Sequence, residues 1–187
     1  MEVQPLDVFE FILVLVTVIV SLGIAELLGG VVRVLRHELK PGHLHWLWVL
    51  LVFNMQIQWL WFSWNFRDRV SWLFPEFMLL IAPPILLYMA SAVLFPRTSE
   101  GGDLDAHFFR RRRPFFLLTI ATVVLFGLSH RFLEDGALAS QTNAFRLLLI
   151  CMCVGLMFTT HRAIHWTLAL AILVTQLWWV YQYSFAI

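Results

Sequence analysis

The sequence predicts an all-α integral membrane protein of six transmembrane helices, and three observations carry that prediction. Hydrophobic residues make up 60% of the chain, charged residues only 13%, and the mean hydropathy is +0.79, whereas a soluble domain carries about 25% charge to meet water. The apolar residues gather into six stretches, at about 8–32, 45–65, 76–95, 114–133, 143–160 and 164–185. Each is close to the roughly 20 residues that cross a bilayer with every backbone amide satisfied inside its own helix. The connections between them are too short to bury a core of their own, so the expectation is one transmembrane domain over residues 1–187 with no soluble catalytic domain attached.

Span 1 follows an acidic start carrying Glu2 and Asp7 that lacks the basic region and small-residue cleavage site of a secretory signal, so it is expected to remain as the first crossing. It carries Glu10 near one end, Glu26 about a turn inside the other, and Ser21, Ala25 and Gly29 at four-residue spacing. Span 2 opens after His43 at His45, and a polar stripe of Asn54, Gln58 and Asn65 runs along it, because about 11 residues return a helix to the same direction. Span 3 contains Pro83 and Pro84, which remove two amide donors and free the carbonyls of Leu79 and Leu80, so a helix break is expected there. Span 4 is read as starting at Pro114, behind the run Arg110 to Arg113, and ends with His130 and Arg131 before Glu134 and Asp135.

Span 5 holds Arg146, expected to pair with Glu10, as Arg131 also could, because an ionised side chain in hydrocarbon costs several kcal/mol unless partnered. Its two cysteines, Cys151 and Cys153, point to different helix faces and cannot bond to one another. Span 6 aligns His165 and Gln176 on one face, with Tyr183 beyond. Rows of small residues, Cys151, Gly155 and Thr159 on span 5 and Ala163, Thr167, Ala171 and Thr175 on span 6, join the row on span 1 in marking spans 1, 5 and 6 as the expected packing core.

Orientation follows from positive charge. Nine of the 13 Lys and Arg residues, among them Arg33, Arg36, Lys40, Arg97 and Arg162, fall on connections 1, 3 and 5, which places that side in the cytoplasm and both termini outside. Tryptophans cluster toward span ends, Trp46, Trp48 and Trp166 on the inner side and Trp59, Trp61, Trp64, Trp72, Trp178 and Trp179 on the outer. The Arg110 to Arg113 run then meets anionic lipid headgroups, and a nucleic-acid partner is not expected. An inner, cytoplasmic membrane is the expected setting. A short likeness between Ser21–Glu26 and Leu125–His130 hints at a 3+3 inverted repeat.

No motif names a reaction, and no Ser/His/Asp set is visible, so an enzyme is not the leading expectation. The leading specific reading is a channel or transporter for a small solute or ion, its path following Asn54, Gln58, His165 and Gln176, with Glu26 as the inner charged position and Pro83-Pro84 as the flexible break. A second reading is a non-catalytic assembly protein holding a lipid, a pigment or a partner subunit, with homo-oligomers included. A third is a redox protein in which His161 and His165, four apart, grip a metal or a haem iron, with Glu26, His43 and His45 within reach. Glu26 paired with Arg33 is the plain structural alternative.

Overall fold

The computed structural model describes residues 8–69, 71–96, 102–133 and 141–183. Glu2, Asp7, Arg97, Glu134, Asp135 and the side chain of Tyr183 lie outside the described residues. Among the described residues the fold is all-helical, 88% of them in helix. Six helices form among the described residues: α1 Val8–Leu35, α2 His43–Ser63, α3 Phe74–Leu94, α4 Leu104–Leu133, α5 Gln141–Phe158 and α6 Arg162–Tyr183, with one 3₁₀ turn, Trp64–Phe66, after α2. Four of them, α1, α3, α4 and α6, are long and apolar enough to cross a membrane, and α5 is a shorter apolar helix. These helices support a membrane location for the chain.

Local chemistry sets the ends. The α1 helix runs past the apolar stretch to Leu35 and closes in a Schellman arrangement, in which Glu38 N–H donates to the Arg33 carbonyl at 3.0 Å and His37 N–H to that of Val34 at 2.9 Å. His37 takes the left-handed position at φ 60, where glycine is the usual occupant. The α2 helix starts after Gly42, which has no side chain to cap it, and the cap comes from another element: Asp105 Oδ1 accepts from His45 N–H at 3.1 Å. A Cβ at residue 42 would lie 2.2 Å from that carboxylate oxygen, so glycine makes room for the cap. Asp103 Oδ1 caps α4 by accepting from Asp105 N–H at 2.9 Å, and a parallel bridge pairs Asp103 with Lys40.

That cap explains a correction. The α4 helix begins at Leu104 rather than at Pro114, so the four arginines ride on a helical extension with Pro114 inside the helix. A second correction concerns α3, which is one continuous helix through Pro83 and Pro84. The carbonyls they free are met by neighbours: Ser129 Oγ lies 2.9 Å from Leu79 O and equally from Leu125 O of its own helix, so its one proton serves both, and Trp59 Nε1 donates to Leu80 O at 3.1 Å. No break is needed once both acceptors are satisfied.

The core is not where the small-residue rows point. The α3 helix packs between α1 and α4, α5 packs against α4, and α2 touches α1, α3, α4 and α6, while α5 and α6 touch only slightly. Ser21, Ala25, Gly29, Cys151, Gly155, Ala163 and Thr167 are all exposed. The close approaches fall instead at Gly23, where a Cβ would come 2.6 Å from Gln56 Oε1, and at Gly30, where it would come 2.4 Å from the Phe95 ring. One apolar cluster surrounds Trp48, Leu87, Phe108 and Phe116; the other joins Phe9, Ile12, Val16, Trp59 and Leu80. Trp48 and Trp59 therefore belong to the core, 2% and 1% exposed, rather than to headgroup belts.

Candidate functional site

The polar stripes of α2 and α6 meet. Asn54 Nδ2 donates to Gln176 Oε1 at 2.8 Å, with Gln176 buried and Asn54 half-buried. The pairing follows from helical period: both side chains project from the faces along which α2 and α6 pack, and an amide can satisfy an amide where lipid cannot. Gln58, one turn along α2, is half-buried, and its Nε2 has no hydrogen-bond partner among the described residues.

His165 sits 11 residues before Gln176 on the same face and is fully buried. Its Nε2 lies 3.1 Å from the Thr159 carbonyl, and its ring is walled by Phe108, Phe109 and Phe116 at centroid distances of 5.8, 4.9 and 5.9 Å. His161 is exposed and precedes the first residue of α6, and its carbonyl receives the helix-starting bond from His165 N–H at 3.2 Å. The two rings therefore stand in different surroundings, one dry and one open. Among the described residues no group of three His, Cys, Asp or Glu side chains is placed to hold a metal ion.

Glu26 is exposed on α1 and makes no hydrogen bond or ion pair among the described residues. Arg33 pairs instead with Glu38 at 3.5 Å and donates to the carbonyl of Pro96, because the α1 terminus folds Glu38 back toward it. Glu10 is exposed, Arg146 is half-buried and donates to Asn143 Oδ1 at 2.8 Å, and their helices, α1 and α5, are not packed neighbours.

Sequence reasoning passed over several buried polar groups. Gln56, rather than Gln58, is the deeply buried amide of α2; its Nε2 donates to Ser91 Oγ at 2.8 Å, and Ser91 donates to Leu87 O at 2.9 Å. The signal was present in the periodicity, since Gln56 lies one residue from Met55 and three from Trp59 on the face that also buries Trp48 and Val52. His45, which the sequence offered as a ligand within reach of His161 and His165, is instead fully buried, its ring nitrogens without a hydrogen-bond partner among the described residues and its ring edge-on to Phe95 at 4.8 Å. Nearby, His107 Nε2 lies 3.1 Å from Val93 O.

Two spaces among the described residues bear on a binding role. A cavity of about 560 Å³ at the end where α2 finishes is lined by Asn65, Asp68, Arg69, Glu76 and Leu133. Its arginine is committed to Glu76, to the Leu133 carbonyl at 3.4 Å and to the face of Trp72. The other is a narrow crevice of about 10 Å³ between α2, α4, α5 and α6. Compared with models of known protein families, with curated proteins and with solved structures, the chain matches none.

Proposed function

We propose that this chain is a non-catalytic membrane assembly protein that docks the helix of a partner subunit on the lipid-facing side of α1. Six crossings with both termini outside, and Arg110 to Arg113 against anionic headgroups of the cytoplasmic leaflet, complete the reading.

The observation that carries it is Glu26. Gly23 abuts Gln56 and Gly30 abuts Phe95, so Glu26 lies between those levels, about 10 Å along the helix from Arg33 and well inside the apolar length of α1. A carboxyl group facing lipid there costs about 3 kcal/mol when ionised. A donor or cation on a partner helix at the same depth offsets that cost, and exposed Ser21, Ala25 and Gly29 let its backbone approach closely. The candidate path supports a sealed bundle over a conduit: Asn54 donates across it to Gln176, and His165 is enclosed by phenylalanine rings.

The test is purification in mild detergent followed by mass spectrometry of retained subunits. Glu26→Leu is expected to lower partner recovery about tenfold, the effect of losing roughly 1.4 kcal/mol, with Glu26→Gln intermediate because it can still hydrogen-bond. A wild-type protein that elutes alone, together with liposome flux abolished by Glu26→Gln and Gln176→Leu, would replace this reading by a transporter.

A further inference from the structure

The four arginines of α4 do not point one way. A helix turns about 100° per residue, so the run spreads around the axis, and Arg110, Arg111 and Arg113 are exposed while Arg112 is half-buried. Arg112 falls among Phe108, Phe109 and Phe116, the three rings packed on His165, so its side chain leaves α4 on the side of the α6 start. Two observations agree: its Nη1 donates to the Phe109 carbonyl at 2.6 Å, and Arg112 is near enough to His165 for its charge to act on that ring. The α4 and α6 backbones make little contact of their own, so side chains span the space between them at this junction.

Charge at the junction is unbalanced. Arg112 has no ion-pair partner among the described residues, and its buried Nε–H has no acceptor there either. The acids of the same end serve other elements: Glu38 pairs with Arg33, and Asp105, about 10 Å back along α4, caps α2. What α6 brings is positive as well, since exposed Arg162 is its first residue and its first turn holds no acid. A half-buried guanidinium near a second arginine is costly, and a bound anion offsets that cost.

We infer that Arg112 and Arg162 clamp the phosphate of one anionic glycerophospholipid between α4 and the start of α6. Both guanidinium groups donate to it, and so do amides of residues 162–164, which precede the first helical bond of α6, that of His165 N–H to His161 O. The outer face of α6 favours a lipid over a free phosphate. Arg162, Trp166 and Leu170 follow one another at four-residue spacing, all exposed, so a charged contact, an interfacial indole and an apolar track for an acyl chain succeed each other with depth. The clamp rests on the reading that puts Arg110 to Arg113 at headgroup level, and it is independent of Glu26 and the α1 face.

The test uses the whole protein, delipidated in detergent, with binding read by native mass spectrometry. Dioleoylphosphatidylglycerol is titrated in parallel with dioleoylphosphatidylcholine, whose choline neutralises the phosphate, and with inorganic phosphate as competitor. The expected result is one phosphatidylglycerol held about tenfold more tightly than phosphatidylcholine, a preference of roughly 1.4 kcal/mol that Arg112→Gln or Arg162→Gln removes and Arg111→Gln leaves within about twofold. Hydrogen exchange at residues 162–164 should slow when phosphatidylglycerol is added. That measurement needs no variant, and unchanged exchange there overturns the clamp even if Arg112→Gln fails to fold. Equal losses from Arg111→Gln and Arg112→Gln would overturn the clamp while leaving the run at anionic headgroups. A preference unchanged in all three variants would remove the headgroup reading of the run as well, and displacement of the lipid by an equal concentration of inorganic phosphate would rule out the lipid as occupant.

Discussion

Ser129 and Trp59 show how much rests on one hydrogen bond when a helix contains paired prolines. Among the described residues each is the one side-chain donor at its carbonyl, so Ser129→Ala removes the hydroxyl that Leu79 O shares with Leu125 O and should cost about 1 kcal/mol of stability in reversible detergent unfolding. Pro83→Ala in that background should recover part of the loss, because the amide it restores is the normal helical partner of Leu79; equal effects in both backgrounds would show that the serine bond contributes nothing. The Asn54–Gln176 pair behaves differently. Either residue changed alone to leucine strands its mate and should cost about 1–2 kcal/mol, whereas the double change should approach neutrality, measured in the same unfolding assay. The freed carbonyls were legible in the sequence because proline chemistry is local. Their donors were not, since Trp59 lies 21 residues from Leu80 and Ser129 lies 50 from Leu79, and only packing brings them together.

The helices themselves read well from hydropathy, and their ends read poorly, because hydropathy reports where lipid begins and capping reports where hydrogen bonds run out. Pro114 looked like a start, and Asp103 provides the real one ten residues earlier by capping Asp105. Gly42 clears space for the carboxylate that caps α2 from α4, a role that only the packing of α4 reveals. Asp105→Ala should therefore destabilise the protein by about 1 kcal/mol through α2, a helix to which it does not belong. Hydrogen exchange should locate the loss at the amides of residues 43–46; loss confined to α4 would contradict the cross-helix cap. At the close of α1 the expectation has the opposite sign. His37→Gly relieves a left-handed L-residue and should stabilise by about 1 kcal/mol, visible as a raised unfolding midpoint.

At the level of the whole bundle, apolar composition announced a membrane protein but not the order of its layers. Rows of small residues mark where helices can come close, and in this chain most of their members face outward while α2, with few small residues, occupies the middle. Lipid is as apolar as a neighbouring helix, so hydropathy carries no signal that separates the two. Gly23→Leu should be poorly tolerated because Gln56 fills the space it needs, whereas Gly29→Leu, with nothing within 4 Å, should leave the fold intact and weaken any assembly on α1. Thermal stability and co-purification, measured on the same two variants, separate these effects. Residues 159–161 give the molecule a further property. They join α5 to α6 at one end, where His165 fastens to the Thr159 carbonyl, and contact between the two helices is slight. Since α5 lies on α4 and α6 on α2, that corner staples one helix pair to the other, and a substitution that loosens it should be felt on both sides.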